Sequence, residues 1–268
     1  MTSIGVGKNF PPDNPGLAFK AVTYLMVNGL VLPTISIFMN LLNRTLISGH
    51  PNIQRLKPPY ILMSNHLTLL DDLFLDPLIF FPNCFKGYKY IPYHAPEENN
   101  FYKTPIVSWF MKQAKSIPLI RGRGFNQEGV RKMIQTVTNG GVLHIYPEGT
   151  RTRTGDIGRG QDGVGKIVYE TGVPVVPMYH RGLERILPIG SGMPTFGKSV
   201  RVTIGKPITF NDELKMENKV ATWHQITEKI MGEIRKLQDE TNNRWGFQPI
   251  VVKQRSPRRK PSKSAVTD

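Results

Sequence analysis

Cysteine is nearly missing from this sequence: Cys84 stands alone among 268 residues. One thiol cannot close an intramolecular disulfide, and no Cys/His cluster has metal-ligand spacing. No histidine or base motif adjoins Cys84, so it does not read as a nucleophile. A G-x-S-x-G elbow is also absent, which leaves a lipid hydrolase of the serine acyl-enzyme type without its nucleophile. Acidic residues are scarce as well. Twenty Asp and Glu face 35 Lys and Arg, a formal charge of +15. Such a chain favours anionic surroundings: nucleic acid, anionic lipid or a phosphate-bearing substrate. One alternative is a non-enzymatic anionic-lipid or nucleic-acid binder; no aromatic-and-basic module for reading nucleic acid is present, so it is disfavoured and no nucleic-acid partner is expected.

What is present is enough apolar residues, 39%, to build a core in one large domain. Residues 1–17, with Pro11, Pro12 and Pro15, read as an irregular leader. Residues 18–44 read as a membrane-associating segment, because Ala21 to Asn43 holds 23 residues without a charge between Lys20 and Arg44. As a helix it would span about 34 Å, enough for the hydrocarbon core of a bilayer. Gly29, Pro33, Asn28 and Asn40 interrupt it, so a kinked, re-entrant or interfacial helix competes with a straight span, and a buried core helix is the third possibility. Neither a cleaved signal peptide nor a mitochondrial presequence is expected, since no basic n-region precedes the segment and no Arg comes before Arg44. Residues 45–245 read as the folded domain. Residues 246–268 read as a basic, disordered tail: from Lys253 on, six Lys/Arg and one Asp contribute +5 of the total charge.

Short apolar runs predict strands at Tyr60–Met63, Ser116–Ile120, Val142–Tyr146, Val173–Tyr179 and Val200–Ile204. Residues 66–80 read as helical. Val130, Met133, Ile134 and Val137 share a face of a helix over Gln127–Thr138, closed by Asn139-Gly140-Gly141. Val220, Trp223, Ile226, Ile230, Ile234 and Leu237 mark one long amphipathic helix. Strands alternating with helices predict a single α/β domain, a largely parallel mixed sheet flanked by helices.

Several stretches carry chemistry. Ser64-Asn65-His66-Leu67-Thr68-Leu69-Leu70-Asp71-Asp72 lies where a buried strand gives way to a helix, the usual place for a site in an open α/β sheet. Histidine there accepts a proton near neutral pH if a carboxylate orients it. Asp71 is five residues on, about 140° around a continuous helix, so the pair works only if His66 precedes the first turn and Asp71 reaches back. Acids merely capping a helix N-terminus are the competing explanation. Tyr146-Pro147-Glu148-Gly149-Thr150-Arg151-Thr152-Arg153 follows a strand with a glycine turn, hydroxyls and two guanidinium groups, a set suited to an anion. Pro118-Leu119-Ile120-Arg121-Gly122-Arg123 delivers cations to another strand end, and Val173-Pro174-Val175-Val176-Pro177 is an apolar wall. Gly160 to Lys166 fits the G-x4-G-K of a P-loop, but Ile167 replaces the required Ser/Thr and residues 152–159 form no strand. Those glycines are expected to shape a turn beside the anion site, with Lys166 adding charge.

In this order the blocks resemble the glycerolphosphate and lysophosphatidic acid acyltransferase superfamily over about residues 58–208. Asn65-His66-x4-Asp71 is similar to its catalytic block, Arg121 to the basic residue of the second, Glu148-Gly149-Thr150-Arg151 to the third, and Val173–Pro177 to the fourth. Asp71-Asp72, Ile117-Pro118 to Gly129, His144 to Gly149, Gly163 to Lys166, His180-Arg181-Gly182 with Leu187-Pro188, and Ile204 to Pro207 are similar to the phospholipid–lysophospholipid transacylase branch. Thr150-Arg151 instead keeps the general superfamily form, so acyl-CoA-dependent acylation of 1-acylglycerol 3-phosphate stays open beside transacylation. The resemblance implies that His66, held by Asp71, takes the proton from a glycerol hydroxyl as it attacks an acyl carbonyl. It implies that Arg121 and Arg151 hold phosphate while Glu148, Gly149 and Thr150 shape that pocket. No cofactor and no metal are implied, only acyl-CoA or phospholipid as donor, a lysophospholipid acceptor and a lipid bilayer as partner. The membrane would be mitochondrial for a eukaryotic transacylase and cytoplasmic for a bacterial one.

Overall fold

The computed structural model describes residues 9–152 and 155–246. Six strands form one mixed sheet in the order β1-β6-β5-β2-β4-β3. They are β1 Arg44–Ser48, β2 Tyr60–Ser64, β3 Tyr93–His94, β4 Val142–Ile145, β5 Val175–Arg181 and β6 Ser199–Ile204. The central strands β5, β2, β4 and β3 run parallel, and β6 with β1 runs the other way because β5 and β6 pair antiparallel. The carboxyl ends of β2, β4 and β5 therefore lie along one rim of the sheet.

The apolar runs sit at the centre because they are covered on both faces. Successive side chains of β2 alternate: Ile61 and Met63 join one core with the helices Glu128–Thr138, Asp162–Thr171 and Val220–Trp245, while Tyr60 and Leu62 join the other with the helix Asp71–Ile79 and Met39. Each such side chain, fully buried, contributes about 1.5–3 kcal/mol, so β2 is the best-anchored element on which to mount a site.

Four expectations are corrected. The helix expected from residue 66 begins only at Asp71, leaving residues 65–70 as a loop. Ser116–Ile120 is no strand: Ser116 and Leu119 bridge singly to His94 and Glu97, as expected where Pro118 removes a ladder donor. The glycines of Gly160–Lys166 do not shape a turn. Gly163 and Gly165 lie inside the helix Asp162–Thr171, and a Cβ on Gly165 would stand 1.9 Å from the Trp223 carbonyl oxygen. Glycine is there so that two helix backbones can touch. Lys166 is not a free cation either, since it pairs with Glu170 at 2.7 Å and lies over the Trp223 ring.

The N-terminal apolar segment is helical over Leu17–Leu42, 26 residues, with only 17% of its apolar window buried. It is thus not the core helix that was one of the possibilities. Two stretches, Leu25–Val31 and Phe38–Leu42, are wound as π-helix, one on each side of the turn bearing Pro33, the kind of local unwinding that accommodates a missing N–H. Thr23 bonds to Gln113, Asn28 to the Cys84 carbonyl, and Phe38 stacks on Phe74, fastening the helix along the body. The tail from residue 247 and the leader up to residue 8 lie outside the described residues.

Candidate active site

β2 ends at Ser64, and the chain leaves the sheet as Asn65-His66 on the rim. His66 Nδ1 meets Asp71 Oδ2 at 2.8 Å. Asp71 is the first residue of its helix and reaches back across the loop, the geometry the five-residue spacing demanded. Its carboxylate is buried and takes three bonds from the loop: Leu67 N–H at 2.7 Å, Thr68 N–H at 2.9 Å and the Thr68 hydroxyl at 2.6 Å. Burial alone would raise its pKa. Nearby His180 and His66, with hydrogen bonds from His66 and Thr68, outweigh burial and bring it down to about 2. Asp71 is therefore an anion at neutral pH, fixing the His66 proton on Nδ1 and leaving Nε2 as the basic atom.

The block after β4 holds the main chain of that histidine. Glu148 Oε1 accepts the His66 N–H at 3.2 Å, Oε2 accepts the Gly158 N–H at 2.8 Å, and Thr152 N–H donates to the His66 carbonyl at 2.9 Å. Burial pushes the Glu148 carboxyl up against these two backbone donors, which pull it down. The Tyr146 ring stacks on the imidazole with centroids 4.0 Å apart, and its hydroxyl donates to Asp72. On the other side Asn65 mimics a strand residue. Its side-chain amide exchanges bonds of 3.0 and 2.9 Å with the His180 carbonyl and N–H, so it continues the β2–β5 pairing past the end of β2. The Asn65 carbonyl takes the His180 Nε2–H at 2.8 Å, and burial pushes the His180 pKa down.

The remaining residues expected at the site divide. Gly149 has φ +64°, a left-handed turn that favours glycine, and both it and Thr150 are exposed beside the buried Glu148. Glu148 itself positions His66 rather than facing solvent. Arg151 is half-buried and makes no ion pair or side-chain hydrogen bond among the described residues; Arg153 lies outside them. Arg121 is at the far edge of the sheet, more than half exposed, with Nη2 3.0 Å from Glu97. No hydrogen bond joins it to His66, Glu148 or Arg151 among the described residues. Cys84 is buried, and burial raises its pKa to about 11, in line with an inert thiol. Sequence reasoning missed Tyr146, Asn65 and His180 as supports. Each lay inside a quoted motif, but its partner comes from another strand.

A family model described as Acyltransferase matches residues 44–181. The chain is 30% identical over 194 residues to tafazzin of Drosophila melanogaster, covering 68% of this chain and 50% of that protein. It is 32% identical over 167 residues to a chloroplastic 1-acyl-sn-glycerol-3-phosphate acyltransferase of Brassica napus, covering 62% and 45%. It thus spans about half the length of these relatives. Among solved structures it is similar to the 1-acyl-sn-glycerophosphate acyltransferase PlsC of Thermotoga maritima, with a TM-score of 0.57 and 21% identity over 84% of this chain and 95% of that one.

Proposed function

The chain belongs to the acyltransferase family, and from that footing we propose that it transfers fatty acyl chains to the hydroxyls of lysophospholipid or glycerol phosphate, with His66 as general base and Asp71 as its orienting partner. What carries the reading is the 2.8 Å contact between His66 Nδ1 and the buried, ionised Asp71. The acceptor hydroxyl gives its proton to His66 Nε2 while its oxygen bonds to the acyl carbonyl carbon. The imidazolium is stabilised by Asp71. Collapse of the tetrahedral intermediate breaks the bond to the leaving group, which takes the proton back from Nε2. Glu148 and Thr152 clamp both main-chain groups of His66 and so hold Nε2 at a fixed distance from the rim. Arg151, and Arg121 from the edge, supply guanidinium groups for the substrate phosphate.

Tafazzin-like transacylation between phospholipid and lysophospholipid is the first reading. Acyl-CoA-dependent acylation of 1-acylglycerol 3-phosphate is the second, motivated by Thr150-Arg151. The two separate in one assay: purified protein with labelled lysophospholipid, given intact phospholipid (cardiolipin included) or acyl-CoA. Label transfer with phospholipid alone supports the first, and transfer only with acyl-CoA supports the second. Transfer with neither sinks both.

A bilayer seat follows from the apolar surface. The helix Leu17–Leu42 exposes Leu17, Leu25, Leu30, Ile37 and Leu41, and the neighbouring helix Pro105–Gln113 exposes Ile106, Val107, Trp109 and Phe110. So much exposed apolar surface on touching elements supports a lipid contact.

A further inference from the structure

Behind the Tyr146 ring lies a second constellation that the acyl-transfer chemistry does not use. His94 and His144 are register partners on β3 and β4. Asp72 and Asp76, one helical turn apart, face them from the helix Asp71–Ile79. His94 Nδ1 is 3.5 Å from Asp72 Oδ2 and 3.4 Å from Asp76 Oδ2; His144 Nδ1 is 3.7 Å from Asp72 Oδ1 and 2.8 Å from Asp76 Oδ1. Ligand atoms of Asp72, His94 and His144 all lie within 4.8 Å of one another.

Three of these four separations are too long for a good hydrogen bond. They are close to the distances that neighbouring ligands keep around a tetrahedral cation, since bonds of about 2.0–2.1 Å put the donors about 3.3–3.4 Å apart; the fourth is the hydrogen bond between His144 and Asp76, which a cation would replace. Asp76 Oδ2 and His94 Nδ1 are buried and have no hydrogen-bond partner among the described residues, although they face each other. Asp76 is only 7% exposed, so an unsatisfied oxygen there is costly unless a cation meets it. The surroundings also orient His144. The Ser64 hydroxyl points its proton at the Asn65 carbonyl, 3.2 Å away, which leaves its lone pairs for His144 Nε2–H at 3.1 Å. Nδ1 is then the nitrogen turned toward the carboxylates, where it meets Asp76 Oδ1 at 2.8 Å, and a second bond of this kind is the usual support of a ligating histidine.

We propose that Asp72, Asp76, His94 and His144 bind one divalent transition-metal cation of the zinc class, behind the tyrosine on which His66 stacks. Two imidazoles with two carboxylates select such a cation over magnesium, which prefers octahedral oxygen shells. The four ligands come from two strands and a helix, so no short spacing in the sequence announces them.

The test is titration of the metal-stripped full chain with zinc, followed by calorimetry and by melting temperature. One equivalent is expected to bind and to raise the melting temperature. His94→Gln and Asp72→Asn are each expected to weaken zinc at least tenfold and to abolish its effect on melting. His224→Gln, at a half-exposed histidine paired with Asp162 elsewhere, is expected to change neither. Should His94→Gln fail to fold, Asp72→Asn decides, since that side chain is partly exposed. Zinc held equally well by both site variants, no stoichiometric zinc, or magnesium bound in preference would each overturn the proposal, and the cluster would then hold protons only.

Discussion

Asp71 receives four hydrogen bonds on two oxygens, and Asp71→Asn keeps its shape while changing what those donors meet. An amide NH2 would confront either the Thr68 donors or those of His66 and Leu67, and the negative charge that stabilises the imidazolium would be gone. We expect turnover to fall by roughly 10²-fold or more. Asp72→Asn should be milder, because Asp72 touches Tyr146 and the histidines behind it and not His66. A larger loss in Asp72→Asn would mean that the orienting acid has been misassigned. Glu148→Gln should lower kcat with little change in KM, since it loosens the His66 main chain without removing a substrate contact. The arginines differ in setting. Arg121 and Glu97 form a partly exposed pair worth about 1 kcal/mol, so Arg121→Lys should melt like the parent. Arg151→Lys should raise KM for a phosphate-bearing acceptor, because an ammonium cannot reproduce a bidentate grip. Unchanged kinetics in both would remove them from the substrate.

Gly165→Ala tests the contact between the helices Asp162–Thr171 and Val220–Trp245. The added methyl would overlap the Trp223 carbonyl, so the helices must part, at a cost of about 1–3 kcal/mol or more, seen as a lower melting temperature. This helix was illegible in the sequence because its two glycines and the G-x4-G-K pattern read as a turn. The strands β2, β4 and β5 were legible because full burial on both faces leaves apolar runs, and β6 because buried Val200 and Val202 alternate with half-exposed Ser199 and Arg201. β1, mostly half-exposed, and the two-residue β3 carry no such signal. His66 and Asp71 could be paired beforehand because five residues separate them, across one loop into the start of the next helix. Asn65–His180, His66–Glu148 and the cluster around His144 could not, since sheet order, not sequence distance, brings them together. At the proposed membrane face, Trp109→Asp with Phe110→Asp should weaken binding to lipid vesicles while leaving activity in detergent. Unaltered vesicle binding would remove the helix Pro105–Gln113 from that face.

Over the whole molecule, two electrostatic effects should be measurable. Asp71 titrates near 2 in the fold against an ordinary 3.8, so the folded state prefers its ionised form. The stability this contributes, about 2 kcal/mol, is complete above about pH 5 and is lost as pH falls through 4 toward 2. Urea midpoints of the parent should drop more steeply across that window than those of Asp71→Asn. Parallel curves would mean that Asp71 is not held ionised by its neighbours. The charge of +15, with +5 of it from Lys253 onward, predicts binding to anionic vesicles that weakens with salt, each basic residue near the surface contributing about 1 kcal/mol. Truncation before Lys253 should reduce that binding and spare activity in detergent. The central claim, that His66 takes the proton from the acceptor hydroxyl, is tested most directly by acyl transfer to labelled lysophospholipid by His66→Ala, with circular dichroism and melting temperature matched to the parent. The account predicts a rate lower by roughly 10²–10⁴-fold with whichever donor the parent uses. A folded His66→Ala protein that turns over at near the parental rate would contradict it.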